Sequence, residues 1–221
     1  MIQLMIMDAD ELKLSQNFNR AMVRVGEARR EKANRIMDSE KKRLSLAAGL
    51  LLRHAFHTLH CADLYDEIAY TPLGKPFLPR EEYYFSVSHS GKFAICGFSD
   101  QPIGCDIERK RENLPRFSKI FSCEEGETFT SLNETEKITF FFRLWTGKES
   151  VTKWMGQGIT FPFRDLSVME GKHLKSTLQI HGKTLHLKSF SVEEYLISVC
   201  GEGADFPRKI TKISWNQVLK D

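Results

Sequence analysis

Three strand-like segments follow one another between residues 83 and 108, and they limit the possible folds more than any other feature of the chain. They read YYFSVSHS, KFAICGFS and QPIGCDIE, and the breaks SGK and SDQP separate them. Residues 2–7 predict a further strand at the start. The segment LHLKSFSVEEYLISVCG (185–201) returns to strands near the end. The sequence therefore predicts sheet structure in both halves of the chain.

Helical patterns alternate with these strands. The pattern from about Phe18 to Leu59 is helical and contains the apolar run LSLAAGLLLRHAF, which we expect in a core, and residues 136–154 are helical again. Short matches recur in the same order in both halves, namely FSV at 85–87 and 190–192 and Cys-Gly at 96–97 and 200–201. They predict two similar α+β halves joined near residues 100–105.

Composition narrows the class of protein. The 221 residues are 41% hydrophobic and 28% charged, as in an ordinary globular protein, and the net charge of +3 is too small to argue for nucleic acid. Five cysteines without a C-x-x-C pair argue against a disulfide framework or a zinc ribbon. No apolar run approaches the length of a membrane span, and the N-terminus has no signal-peptide pattern, so we expect a cytoplasmic protein.

The stretch IGCDIE (103–108) carries two acids in an otherwise apolar strand. Residues i and i+2 of a strand face the same side, so Asp106 and Glu108 are predicted to lie together. Two carboxylates at ~4 Å repel by roughly 4 kcal/mol, which water, a proton or a cation must relieve. A solvent-facing edge with two hydrated acids is the simple alternative.

A second charged site lies in FFRLWTGKESVTKWMGQG (141–158). On a helix, Glu149 and Lys153 share a face, which a surface ion pair also explains. If Asp106, Glu108 and Glu149 converge, they offer only oxygen ligands, and these suit magnesium that bridges to a substrate phosphate. Lys148 and Lys153 then supply positive charge to that phosphate.

Further basic and polar residues are candidates for an anion site. Lys75 lies in the turn Gly74-Lys75-Pro76, and Ser88 and His89 end a strand at a glycine turn. Arg29, Lys32 and Arg43 are further candidates, although a charge run on a helix is usually a solvated face.

Five ordered segments together resemble the surfactin-synthetase-activating class of phosphopantetheinyl transferases. They are YTPLGKPF, FSVSHSG, IGCDIE, LWTGKESVTKWMGQGI and a C-terminal strand pair. The specific signal is G-x-D-[IV]-E followed about forty residues later by W-x-x-K-E-[SA]-x-x-K, and here Glu149 follows Glu108 by 41 positions (149 − 108). The resemblance extends over nearly the whole chain.

The resemblance implies an α+β pseudo-dimer, each half with an antiparallel sheet packed on a long helix. The halves are predicted at 1–103 and 104–221, with coenzyme A in the cleft between them. The implied reaction moves phosphopantetheine from coenzyme A to a serine of a carrier protein and leaves adenosine 3′,5′-bisphosphate. By motif position, Asp106, Glu108 and Glu149 hold Mg²⁺, Glu149 is the candidate general base, and Lys153 assists the leaving group.

The remaining implied contacts concern coenzyme A and the carrier. The predicted coenzyme A contacts are Arg29, Lys32, Arg43, Gly74, Lys75, Pro76, Ser88, His89, Lys148 and Lys153. Phe117, Ile120 and Phe121 in the segment FSKIF correspond to a carrier-contacting stretch, and the alternative is that they are core residues at a helix start. A mildly basic enzyme suits acidic carrier proteins. The resemblance also implies a monomer without nucleic-acid or membrane partners.

Two other functions stay open from the residues alone. A magnesium-dependent nucleotide phosphotransferase or hydrolase needs no carrier and no apolar docking surface. A non-enzymatic basic binding module keeps its function when Asp106 is changed to alanine. The five ordered motifs favour the transferase over both.

Overall fold

The computed structural model describes residues 2–72, 74–80, 82–114, 119–157 and 161–221. The α-helices in these ranges are α1 (Ser15–Arg24), α2 (Glu27–Arg35), α3 (Ser39–Thr58), α4 (Cys123–Ser131), α5 (Glu134–Met155) and α6 (Trp215–Val218). Short 3-10 helices span Ala9–Lys13, Ala62–Glu67 and Phe163–Asp165. None of the helices described has both the length and the apolar character that a membrane span needs.

Twelve strands accompany the helices in the described ranges. They are β1 (Gln3–Asp8), β2 (Ala69–Tyr70), β3 (Pro76–Phe77), β4 (Tyr84–Ser90), β5 (Phe93–Ser99), β6 (Ile103–Arg109), β7 (Met169–Glu170), β8 (His173–Leu174), β9 (Thr177–Ile180), β10 (Lys183–Val192), β11 (Tyr195–Gly201) and β12 (Thr211–Lys212). The predicted α+β class is confirmed, because helices pack on sheets whose long strands pair antiparallel.

The chain divides into two compact units. The first unit comprises residues 2–100 and 207–221, and the second comprises residues 101–206. The tail from 207 to 221 thus belongs with the first unit, whereas the sequence prediction assigned it to the second half. It adds β12 parallel to β1, and it adds the short helix α6.

In the first unit, a four-stranded sheet of order β12-β1-β5-β4 packs on α3. The predicted apolar run forms the buried side of α3, and its last aromatic, Phe56, lies edge-on to Phe85 and Phe98 of the sheet at 5.7 and 5.2 Å between ring centroids. The side chain of Asp38 starts this helix by accepting a hydrogen bond from the amide of Lys41 at 2.9 Å.

In the second unit, an antiparallel sheet of order β6-β11-β10-β9 packs on α5. A capping box of Ser122 and Glu125 begins α4, and a second box of Asn133 and Glu136 begins α5. Helix α5 ends at Gly156, which has a φ of 77° that favours glycine. These signals fix where α5 starts and stops, and therefore which residues it presents to the sheet.

The two sheets have the same central pairing, but one of the predicted repeat matches is wrong. Cys96 pairs with Met5 of β1, and Cys200 pairs with Gly104 of β6, so the two Cys-Gly pairs are equivalent. Cys96 also pairs with Val87, whereas Cys200 pairs with Leu187. The second FSV, at 190–192, therefore lies out of register, because the hairpin of β10 and β11 is longer.

The same register explains why only one half carries the acids. Met5 of β1 and Gly104 of β6 are equivalent, because each pairs with one of the two equivalent cysteines. Two residues further along each strand, Met7 of β1 is therefore the equivalent of Asp106 in β6. Met7 is fully buried in the core of the first unit. The two units thus share the same strand arrangement, but the second unit has a charged residue, Asp106, where the first has a core residue, Met7.

Candidate active site

Gly104 lets α5 lie directly against β6. A Cβ atom at this position would stand 1.9 Å from the carbonyl oxygen of Ser150 and 2.7 Å from the amide nitrogen of Trp154. Since real Cβ atoms do not approach backbone so closely, only glycine permits this packing. A buried hydrogen bond of 2.8 Å between Thr146 of α5 and Ser198 of β11 joins the same helix to the sheet.

This packing brings the predicted acidic residues of the two motifs together. Asp106 is 4% exposed and Glu149 is 7% exposed, and Glu108 is half-buried two residues further along β6. The ammonium of Lys153 donates a hydrogen bond to Asp106 Oδ1 at 2.6 Å. The i,i+4 pair predicted from the sequence is therefore part of a larger charged cluster that includes the neighbouring strand.

Glu149 is the most perturbed acid of this cluster. Burial and the neighbouring charge of Asp106 raise the pKa of Glu149 from 4.5 to about 7; Lys153 acts in the opposite direction, and Glu108 adds to the rise. Its buried Oε1 atom has no hydrogen-bond partner among the described residues. A carboxylate with a pKa near neutrality can accept and release a proton under ordinary conditions.

Lys153 stays a cation in this setting. Burial acts to lower the pKa of Lys153, but the charges of Asp106, Cys105 and Glu149 and the hydrogen bond to Asp106 together outweigh it, so the pKa is raised. The side chain is about a quarter exposed, and its ammonium contacts the buried Asp106.

The carboxylates fit a hard divalent cation. No group of three or more His, Cys, Asp or Glu side chains in the described part of the chain is arranged as a metal site. The donor set is nevertheless all oxygen, and it includes the buried Oε1 atom of Glu149, which has no hydrogen-bond partner among the described residues. Burial, and after it the charge of Asp106, raises the pKa of Glu149. Asp106, Glu108 and Glu149 are the residues that could hold Mg²⁺.

Lys148 does not belong to this cluster, contrary to the predicted phosphate contact. Its side chain is completely buried, and its ammonium donates to Glu125 Oε2 at 2.5 Å and to the carbonyl oxygens of Ile120 and Phe163 at 2.6 and 2.8 Å. An ammonium has three hydrogens, so these partners use all of them. The sequence missed this because Glu125 lies 23 positions away and was visible only as a capping residue.

Two predicted cations of the first unit lie together on α2. Arg29 is 6% exposed, and burial followed by the charge of Arg29 lowers the pKa of Lys32. Arg29 lines a cavity of about 410 Å³ together with Tyr65, Asp66 and Tyr70. An anion placed here would relieve the repulsion between the two cations. Arg43, at the start of α3, lines a different pocket of about 300 Å³.

The turn that contains Gly74, Lys75 and Pro76 connects β2 and β3. The amide of Lys75 donates to Thr71 Oγ1 at 3.1 Å, the amide of Gly74 donates to the Thr71 carbonyl at 2.8 Å, and Gly74 has a φ of 79°. Open space surrounds Gly74, because a Cβ there would meet nothing within 4 Å. The turn is thus preformed and accessible.

Ser88 and His89 lie near the end of β4, where they pair with Ile95 and Ala94. Consecutive strand residues face opposite sides, and here His89 is exposed whereas Ser88 is half-buried. The predicted pair is therefore placed at a strand end, with only one side chain on each face.

The three predicted carrier-docking residues differ in whether the structure describes them and in how far they are buried. Phe117 lies outside the described residues. Ile120 is 2% exposed in the core of the second unit, so it presents no surface to a partner. Phe121 is half-buried against Phe129 and Phe141, at 4.8 and 6.3 Å between ring centroids. For Ile120 the alternative, a core residue at a helix start, agrees with the structure.

Comparison with known proteins gives the family. The sequence profile of the 4'-phosphopantetheinyl transferase superfamily matches residues 102–200, which contain both acidic motifs. The 4'-phosphopantetheinyl transferase Sfp of Bacillus subtilis (strain 168) is 30% identical over 213 residues, covering 93% of this chain and 95% of the relative. The 4'-phosphopantetheinyl transferase ffp of Bacillus subtilis is 31% identical, with 91% and 92% covered, and AcpT of Escherichia coli (strain K12) is 34% identical, with 50% and 56% covered. The chain belongs to the 4'-phosphopantetheinyl transferase superfamily and is an enzyme of the Sfp type.

Proposed function

We propose that the protein transfers the phosphopantetheine arm of coenzyme A to a serine hydroxyl of an acyl or peptidyl carrier protein, with Mg²⁺, and releases adenosine 3′,5′-bisphosphate. The observation that carries the proposal is the buried cluster of Asp106, Glu149 and Lys153, in which the pKa of Glu149 reaches about 7. The family assignment supports the reaction class.

The cluster supplies the acid–base chemistry that this reaction needs. A serine hydroxyl is a poor nucleophile at neutral pH, so a base must take its proton as the oxygen attacks phosphorus. Glu149 suits this role because its pKa lies near the working pH. Lys153, a cation next to Asp106, is suited to stabilise negative charge on the leaving phosphate.

The carboxylates also define the proposed metal site. Asp106, Glu108 and Glu149 would hold Mg²⁺, which when bound neutralises phosphate charge. Without it, the three acids face a substrate that is itself anionic, and the ion pair of Lys153 with Asp106 offsets only part of their charge. We therefore expect transfer to depend on a divalent cation.

The proposed coenzyme A contacts are cations and exposed polar groups of the first unit. They are Arg29, Lys32, Arg43, Gly74, Lys75, Pro76, Ser88 and His89. Arg29 and Lys32 are supported best, because burial and then the charge of Arg29 lower the pKa of Lys32, and a bound anion would favour the Lys32 cation. Lys148 is left out, since its three hydrogens bond inside the second unit.

The partner is an acidic carrier protein, which the net charge of +3 favours electrostatically. A monomer that works in the cytoplasm without nucleic acid or membrane stays a prediction from the sequence. The hydrolase alternative differs in one testable respect, because it releases product from coenzyme A or a nucleotide when no carrier is present.

The test is the intact mass of an unmodified carrier protein after incubation with the enzyme, coenzyme A and Mg²⁺. We expect a gain of one phosphopantetheine group, which is lost with a chelator and with Asp106→Ala while the variant keeps its circular dichroism spectrum. Full transfer by Asp106→Ala would refute the site. Cleavage of coenzyme A without any mass gain on several carrier classes would favour the hydrolase.

A further inference from the structure

A second charged pair, Lys148 and Glu125, lies entirely inside the second unit. Lys148 is completely buried and Glu125 is 1% exposed, with Nζ and Oε2 at 2.5 Å. Removing two charges from water costs several kcal/mol per ion, so a buried pair of this kind adds little net stability compared with apolar residues of similar size. Its presence therefore calls for a reason other than stability.

Both members of the pair bind backbone of loops. Glu125 Oε2 accepts from the amide of Ser122 at 2.9 Å, and Glu125 Oε1 accepts from the amides of Val168 and Met169 at 2.8 and 3.2 Å. Lys148 donates to the carbonyls of Ile120 and Phe163. Five backbone groups from the segments 120–122 and 163–169 are thus attached to one point of α5.

That point is directly next to Glu149. Four consecutive residues of α5 meet different neighbours, beginning with Gly147, where a Cβ would lie 2.6 Å from Leu174 and 3.2 Å from Val168. Lys148 enters the buried pair, Glu149 lies beside Asp106, and the Ser150 carbonyl lies against Gly104. Successive helix residues point about 100° apart, so fixing the direction of the Lys148 side chain also fixes the direction of the Glu149 side chain.

We propose that the Lys148–Glu125 pair is a positioning device for Glu149, because it locks the rotation of α5 against two loops on the side of the helix opposite to β6. Neither residue touches a substrate. The proposal rests on the proposed function, since it assigns Glu149 a role that depends on its exact direction.

The first variant is Lys148→Met, which removes the ammonium but leaves Glu125 with three amide donors that can stabilise its charge. The second is Lys148→Met with Glu125→Leu, which leaves no buried charge. The matched control is Lys172→Met with Glu136→Gln, an exposed pair at 2.7 Å that joins the first turn of the same helix to the β7–β8 turn. The glutamine at 136 keeps the capping acceptor. For each we measure thermal unfolding, kcat and KM for transfer, and Mn²⁺ affinity in the presence of coenzyme A.

The expected result is a folded Lys148→Met variant whose kcat and Mn²⁺ affinity fall about ten- to hundredfold, as for other residues that orient a ligand. KM for coenzyme A stays within about twofold, because its contacts lie elsewhere. The control variant keeps the parent kcat, KM and Mn²⁺ affinity. The proposal is wrong if either Lys148 variant folds and keeps the parent kcat and Mn²⁺ affinity. It is also wrong if neither variant folds, because the pair is then only a folding determinant. A parent protein without transfer or Mn²⁺ binding would instead refute the proposed function.

Discussion

The replacement Glu149→Gln should stabilise the metal-free protein at alkaline pH. Below pH 4.5, Glu149 is protonated in the folded and the unfolded chain, so it has no effect on the pH dependence. Between pH 4.5 and about 7, the unfolded chain loses this proton first, and folding becomes less favourable. Above about pH 7 the loss is complete and amounts to about 3 kcal/mol. Glutamine removes this loss at nearly unchanged volume.

The assay is urea unfolding of the parent and of Glu149→Gln in the presence of a chelator at pH 4.5 and pH 8. We expect similar free energies of unfolding at pH 4.5 and a more stable variant at pH 8. Glu170→Gln, at an exposed position of β7, serves as the control and should change neither. A saturating excess of Mg²⁺, at about a hundred times its Kd, should restore about 2.7 kcal/mol to the parent but not to the variant. Equal stability of parent and variant at pH 8 would refute the claim that Glu149 is a buried acid with a raised pKa.

Three further predictions follow from single contacts. Gly104→Ala forces α5 away from β6 and should lower the free energy of unfolding by roughly 3 kcal/mol or more. The control Gly126→Ala, whose Cβ would meet only Phe121 at 3.8 Å, should be neutral or stabilising, and thermal unfolding compares the two variants. Equal effects of the two replacements would contradict the close approach of α5 to β6. Lys153→Met removes the cation beside the buried Asp106, so it should cost roughly 3 kcal/mol and abolish transfer; a stable, active variant would argue against the ion pair. Arg29→Ala should weaken coenzyme A binding about tenfold by calorimetry, and an unchanged Kd would remove Arg29 from the site.

Local patterns account for the parts of the fold and of the candidate site that the sequence predicted. The alternation in IGCDIE placed Asp106 and Glu108 on one strand, and helical spacing placed Glu149 and Lys153 on one face. Capping boxes are equally local, because Ser122 and Glu125 at the start of α4 are only three positions apart. Each of these features depends on neighbours within a few positions, which a single sequence displays.

The features that the sequence did not reveal depend on partners that are distant along the chain. The sequence predicts Lys148 as a phosphate ligand, because its buried partner, Glu125, belongs to another helix. It predicts Ile120 as a docking residue, although Ile120 fills the core of the second unit. It predicts the second FSV as part of a repeat, but the length of the hairpin puts this segment out of register. The strand β12 has two residues and no apolar pattern, so nothing local predicts it.

The central claim is that Asp106 and Glu149 belong to one divalent-cation site that works with coenzyme A. Equilibrium Mn²⁺ binding, followed by electron paramagnetic resonance with coenzyme A present, tests it most directly. We predict one bound Mn²⁺ per chain in the parent, and loss of that binding in both Asp106→Asn and Glu149→Gln while each variant stays folded. Unchanged Mn²⁺ affinity in either folded variant would contradict the account.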